Sequence, residues 1–268
     1  MVAVQSATTA ERASGDVIEV RDLSKHYGAF RAVDGVSLSV RRNELLGIIG
    51  PNGAGKTTLF NLVAGATKPT SGSVRFQGRD ITRHAPHRRL RLGIARTFQL
   101  VMPFPTMTVE DNLVTAGLAC KMSMRDARDR AGKIIELFDL RAFAERLALS
   151  LNSVEAKRLE VARALVSDPD VLLLDEIFSG LNPAETEAMV RFVRELSGGD
   201  LTILAIEHNI GVIRSLATRV VAMDAGSIVA TGSQEDVFND PRVIATYLGQ
   251  RRSAVDDGPR ALNGEGAE

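Results

Sequence analysis

Nine consecutive residues, Gly50-Pro51-Asn52-Gly53-Ala54-Gly55-Lys56-Thr57-Thr58, follow the apolar run Leu45-Leu46-Gly47-Ile48-Ile49. They spell Gly-x-x-x-x-Gly-Lys-Thr, in which glycines let the backbone turn tightly enough for successive amides to point at one anion. Lys56 adds a positive charge suited to the β and γ phosphates of a nucleotide, and the Thr57 hydroxyl can ligate Mg²⁺. A helix starting near Lys56, with apolar Leu59, Phe60, Leu62 and Val63, would aim its positive end at the same anion. A buried strand before the loop and an apolar helix after it are the context that separates a phosphate site from a structural glycine turn.

The chain has 268 residues, 44% of them hydrophobic, enough to bury one substantial core, read here as one composite domain. Alternating apolar positions at Ile18 and Val20, at Val36, Leu38 and Val40, and at Val74 and Phe76 predict half-buried antiparallel strands. Val171-Leu172-Leu173-Leu174 and Leu201 to Ile206 are continuous apolar runs, as parallel strands covered on both faces require. Helices alternate with them, so the core is predicted to be α/β. Between Thr106 and Asp168 helical signals replace strand signals. Thr108-Val109-Glu110-Asp111 reads as a helix start, and Asp126 to Leu140 carries apolar Ile134, Leu137 and Phe138. A third helix from near Ser153 places Leu159, Ala162 and Val166 on one face before Asp168-Pro169 stops it. Residues 1–15 and 250–268 read as flexible tails.

The 33 basic and 33 acidic residues cancel, which removes a global attraction to nucleic acid. The local basic cluster His84 to Arg91 reads as a solvated helix face rather than a contact surface. A single cysteine, Cys120, excludes an intrachain disulfide framework and reads as a small buried apolar residue. The start lacks the basic segment and apolar core of a signal peptide, and no stretch reaches the roughly 20 apolar residues that span a bilayer. The expectation is a cytoplasmic protein that meets a membrane only through partners.

The second chemical element is Leu172-Leu173-Leu174-Asp175-Glu176, an apolar strand ending in two carboxylates. Side chains alternate along a strand, so the two acids can take different tasks. Asp175 is the candidate to hold Mg²⁺ through water and Glu176 to polarise a water attacking the γ phosphate. An isolated Asp-Glu pair is often a solvated strand end; a phosphate loop in the same α/β unit argues for the catalytic reading.

With these residues the chain resembles the nucleotide-binding subunits of ABC transporters, over essentially Val17 to Gly249. The resemblance implies a P-loop NTPase with a RecA-like core, an N-terminal antiparallel β subdomain and an inserted α-helical subdomain, divided as 16–99, 100–167 and 168–249. It implies ATP and Mg²⁺ as cofactors. It also gives roles that spacing does not: Tyr27 as the aromatic stacked on adenine, where the residue alone reads as an exposed tyrosine. Gln99, in Arg96-Thr97-Phe98-Gln99, would reach Mg²⁺ and the attacking water. Ser179-Gly180-Leu181-Asn182 matches the loop exchanged between two such subunits, and His208, in Ile206-Glu207-His208-Asn209, the switch histidine at the γ phosphate.

The family works as a head-to-tail pair in which each ATP lies between one subunit's phosphate loop and the other's Leu-Ser-Gly-Gly-Gln signature. Here Leu151-Asn152-Ser153-Val154-Glu155 occupies that place and only the leucine is kept. Ser153 is the expected helix cap, Val154 adds a branched side chain where a close approach is needed, and Glu155 adds negative charge near a triphosphate. An intact phosphate loop and a degenerate signature together imply a heterodimer with one weakened site, rather than a homodimer. Ile177 stands where the family has proline, a change in loop stiffness.

Within the family, Arg96 to Gln99, Met107 to Asn112, Arg158 to Ala164, Ser179 to Pro183, Ile206 to Asn209 and the closing Tyr247-Leu248-Gly249 are similar to ATPases of branched-chain amino acid importers. The helical region between Asn112 and Leu151 is shorter than theirs. The resemblance implies permease subunits, a second ATPase and, indirectly, a solute-binding protein as partners, at the cytoplasmic face of the membrane. The segment Leu100 to Met107, with Pro103 and Pro105, would rim the groove that receives a permease helix. Lipopolysaccharide export, urea import, a soluble non-transport ABC ATPase and a regulatory nucleotide-binding subunit are the alternatives.

Overall fold

Two strands joined by a tight turn open the chain: β1 (Asp16–Tyr27) and β2 (Phe30–Arg41) pair antiparallel, with Ile18 opposite Val40 and Val20 opposite Leu38. The computed structural model describes residues 15–97 and 103–247. β3 (Leu45–Ile49) leads through the glycine loop into α1 (Lys56–Ala64), and β4 (Ser71–Phe76) and β5 (Arg79–Asp80) then return to β1. The result is an antiparallel sheet in the order β2-β1-β4-β5.

After α2 (Pro86–Leu92) and β6 (Ile94–Arg96), the described residues up to the next strand are mainly helical, with turns and one isolated antiparallel bridge between Thr108 and Leu147. They comprise α3 (Val109–Ala119), α4 (Met124–Leu137), two single 3₁₀ turns and α5 (Ser153–Leu165). β7 (Val171–Asp175), α6 (Pro183–Ser197), β8 (Thr202–Ile206) and α7 (Ile210–Leu216) follow. The hairpin β9 (Arg219–Asp224) and β10 (Ser227–Gly232) and the short α8 (Gln234–Phe238) complete the fold. The second sheet runs β10-β9-β3-β8-β7-β6, parallel throughout except for the β9–β10 pair.

Both faces of this sheet are covered, which explains why β3, β7 and β8 are buried at every position. Alternation sends Leu46 and Ile48 toward α1 and the antiparallel sheet, and Leu45 and Ile49 toward the other helices. Apolar packing runs without a break from the sheet to Leu113, Ile134 and Leu159 of the helical stretch.

Capping decides where the helices begin. Thr108 accepts from the Asp111 amide at 3.0 Å, as the sequence predicts for α3. α4 starts two residues before the predicted Asp126, because Ser123 is its cap. Its buried face is Ala127, Ala131, Ile134 and Ile135, with Phe138 buried just beyond; Leu137, expected there, is 70% exposed.

The basic cluster His84 to Arg91 is solvated only in part. His87, Arg88 and Arg91 are exposed, but Arg89 is 1% exposed and donates to the carbonyls of Leu62, Val63, Thr82 and His84. It adds a donor to the carbonyls at the end of α1, where the Gly65 amide also reaches Leu62 at 3.3 Å, and burial pulls its pKa down to about 10. Cys120 is half-buried rather than fully enclosed, and burial raises its thiol pKa. Among the described residues no helix is long and apolar enough to cross a membrane.

Candidate active site

The glycines of the loop are fixed by what lies against them. Gly50 has φ 151° and a side chain there would meet the Met223 carbonyl at 2.2 Å; Gly55 has φ 94° and would meet that of Ala32 at the same distance. The β9–β10 turn braces the loop, with the Gly226 amide donating to the Ala54 carbonyl at 3.1 Å. Gly55 then opens α1, with no side-chain cap and no acidic residue in its first turn. The first amides of α1 therefore present their positive end with no side-chain acceptor at the cap.

Lys56 is 5% exposed, and its Nζ donates to the carbonyls of Gly50 at 2.7 Å and Pro51 at 2.8 Å. Burial lowers its pKa, while Glu176, Asp175 and Glu207 pull the other way and favour the charged form.

β3, β8 and β7 are neighbours in the parallel sheet, so the residues just past their carboxyl ends meet. Gly50 follows β3, Glu176 follows β7 and His208 lies beyond β8. Asp175, the last residue of its strand, is 1% exposed and accepts from Arg96 Nη2 at 2.6 Å. Arg96 also donates to Asn61 of α1 at 2.5 Å, which ties the helix after the loop to the acidic strand. Glu176 takes a left-handed φ of 48°, rare for a non-glycine residue, and this turns the chain so that Glu176 faces the cavity.

A cavity of about 720 Å³ is lined by Gly50 through Thr58 with Glu176 and His208. Every predicted loop residue, Gly50, Pro51, Asn52, Gly53, Ala54, Gly55, Lys56, Thr57 and Thr58, is therefore in its wall. His208 is exposed at the start of α7, whose cap Asn209 accepts from the Gly211 amide at 2.9 Å. Asp175 Oδ1 is buried without a hydrogen-bond partner, a free carboxylate oxygen whose chemistry fits a divalent cation. Among the described residues no cluster of three His, Cys, Asp or Glu side chains forms a closed metal cage, so a cation here would depend on Thr57, Gln99, water and phosphate besides Asp175.

Tyr27 stands at the β1–β2 turn, 53% exposed, with Lys25 Nζ 4.9 Å from its ring centroid. It is not part of the cavity wall; its register partner Phe30 is. Ala32 and Tyr247 complete the lining. Phe30 and Ala32 were missed because nothing in a strand pattern says which end abuts the loop. Tyr247 was noticed only as part of the closing motif; burial raises its pKa against the opposing influence of the Gly50 amide. Gln99 and the segment Leu100 to Met102 lie outside the described residues, as do Leu248 and Gly249.

The altered signature is closed upon itself. Asn152, not Ser153, is the cap of α5: its Oδ1 accepts from the Glu155 amide at 2.9 Å, and Glu155 Oε2 accepts from the Asn152 amide at 3.0 Å. Ser153 is the first helical residue, because asparagine one position earlier has the extended backbone a cap requires. Arg146 pairs with Glu155 at 3.3 Å and donates to the Ser150 carbonyl at 2.7 Å. Leu151 and Val154 are half-buried against the apolar core.

Comparison with known proteins places the chain by family and fold. The family model described as ABC transporter matches residues 33–179. The high-affinity branched-chain amino acid transport ATP-binding protein BraF of Pseudomonas aeruginosa is 37% identical over 253 residues, covering 88% of this chain and 99% of BraF. The lipopolysaccharide export system ATP-binding protein LptB of Haemophilus influenzae is 34% identical, covering 88% of this chain and 98% of LptB. The crystal structure of the ADP conformation of an ATP-binding cassette from an ABC transporter superimposes with a TM-score of 0.81 at 31% identity, over 88% of this chain and 99% of that one. By sequence and fold, this chain belongs to the ABC transporter family, as an ATP-binding and ATP-hydrolysing subunit.

Proposed function

We propose that this subunit hydrolyses ATP in the cavity between its phosphate loop and the Glu176–His208 pair, and that the cycle powers import of branched-chain or other hydrophobic amino acids. The observation that carries the chemistry is the convergence of loop 50–58, Glu176 and His208 on one cavity. In this reading the loop amides and Lys56 hold the phosphates, Glu176 polarises the attacking water and His208 contacts the γ phosphate. Tyr27, with Phe30 beside it, offers an aromatic surface to the adenine. Thr57, Asp175 and Gln99 are the residues to hold Mg²⁺, which when bound neutralises charge on the phosphate oxygens.

Replacing Glu176 by Gln tests the assignment: ATP affinity should stay within about twofold while kcat falls by about 10²- to 10⁴-fold. Turnover near the wild-type rate in E176Q would remove Glu176 from its role.

The transport reading is supported by the importer relatives. The subunit would sit at the cytoplasmic face of the membrane beside permease subunits and a second ATPase, with a solute-binding protein acting indirectly and no nucleic acid involved. Residues 100–167 would form the helical subdomain that passes movement to the permease. The exposed Phe104 and Met107, held by the buried Asn112, support a contact near Leu100 to Met107. A heterodimer is supported by α5, whose first turn is already occupied by its own Glu155 carboxylate. Lipopolysaccharide export, supported by the LptB relative, is the second reading. Stimulation of ATPase activity by a leucine-loaded binding protein in the reconstituted complex separates the two; export predicts none.

A further inference from the structure

The loop after Glu176 is gripped from two sides by a base and an acid that lie outside the cavity wall. Lys157, in the second turn of α5, donates from Nζ to the carbonyl of Ile177 at 2.7 Å and to that of Ser179 at 2.6 Å. Between them, the Phe178 amide donates to Glu207 Oε1 at 3.1 Å. Three successive residues of one loop are thus fixed by two charged side chains from different elements.

Glu207 links β8 to His208. It is 1% exposed, and its Oε2 is buried without a hydrogen-bond partner. The five residues of β8 before it are buried, four of them apolar, so packing alone would be served better by another apolar side chain. A carboxylate kept at such a site has to be explained by what it holds, and what it holds is the loop carrying Glu176. That loop needs holding: Glu176 is in a left-handed conformation that surrounding contacts must over-determine. Its own amide donates to the Ile206 carbonyl at 3.1 Å, so the same strand end anchors Glu176 and leads to His208.

We propose that Lys157 and Glu207 are positioning residues for ATP hydrolysis, a clamp that sets the loop 176–182 in register with His208. Because Lys157 belongs to the helix that begins at the altered signature, the clamp joins that partner-facing surface to the Glu176–His208 pair. Electrostatics agree with the geometry. The Glu207 pKa is raised to about 7, chiefly by burial and with Glu176 adding to the rise, against the opposing influence of the Phe178 and His208 amides and Lys157. Lys157 is lowered by its own burial and supported in its charged form by Glu207.

In the full-length chain, E207A and K157M should each lower kcat for ATP hydrolysis about tenfold or more while ATP affinity by calorimetry stays within about twofold. E207Q keeps an oxygen acceptor for the Phe178 amide, so its kcat should stay within about threefold of wild type. Amide exchange at Phe178 should quicken in E207A and not in E207Q. The double variant should be little worse than either single one, because each opens the same clamp. If E207A fails to fold, K157M at its half-buried position carries the same kinetic test. Single variants within about twofold of the wild-type kcat overturn the proposal, as does a loss of ATP affinity parallel to the loss of kcat. An E207Q that falls as far as E207A overturns the role given to the hydrogen bond.

Discussion

Glu176 and Glu207 are both carboxylates at the ends of buried strands, yet their surroundings assign them different work. Glu176 faces the cavity, while Glu207 is enclosed and its pKa is raised from the ordinary 4.5 to about 7 by burial. Between those values the folded state binds the Glu207 proton more tightly than the unfolded chain does. The associated stability is therefore fully present below 4.5 and is lost as pH rises through about 7. Replacing Glu207 by Gln removes this dependence. The stability of E207Q relative to wild type should thus grow by up to about 3 kcal/mol between about pH 5 and pH 8, measured by urea unfolding at both. Wild type and E207Q changing in parallel with pH would show that Glu207 does not titrate in this range. Sequence alone identified Glu176, since an acid pair ending an apolar run is visible in one dimension. It passed over Glu207, because nothing in Ile206-Glu207-His208 tells which neighbour of the histidine turns inward.

Of the helix starts read from the sequence, that of α3 was placed correctly, while the start of α4 was read two residues late and the cap of α5 one residue late. Thr108 was read correctly and accepts from the amide three residues on, whereas Asn182 and Ser233, which do the same in reciprocal capping boxes, were not read as caps from the sequence. Ser153 was mistaken for the cap of α5 because serine and asparagine are both good caps and stand side by side. The inward face of α4 was misread at Leu137, since helical periodicity fixes spacing but not which stripe meets the core. Arg89 is the clearest case of an element's chemistry hidden from its sequence. In a cluster of basic residues it looks solvated, but it closes the end of α1 and pins α2 to the helix after the phosphate loop. Replacement by Met would remove the donor to those carbonyls, leaving Leu62 only its bond from Gly65, and should lower the unfolding free energy by about 3 kcal/mol in chemical denaturation. A loss under about 1 kcal/mol would mean that water takes over the carbonyls.

At the scale of the whole molecule, one surface offers an open phosphate loop and another a helix start filled by its own Glu155 and Arg146. In a head-to-tail pair these surfaces belong to different ATP sites. Single-turnover measurements on the reconstituted transporter should therefore find one of two bound ATP molecules hydrolysed at least about tenfold faster than the other. Equal rates would return the assembly to two equivalent sites. By itself the sequence determined the phosphate loop, the acid pair, the alternation of strand types and the helical stretch, because these depend on residue spacing and local backbone preference. Only the tertiary structure decided that β8 lies between β3 and β7, which brings loop 50–58, Glu176 and His208 together past the carboxyl ends of these central strands. Strand order follows from long-range packing of both sheet faces, and the same packing placed Phe30 and Tyr247 in the cavity and buried Glu207 beneath the loop it holds.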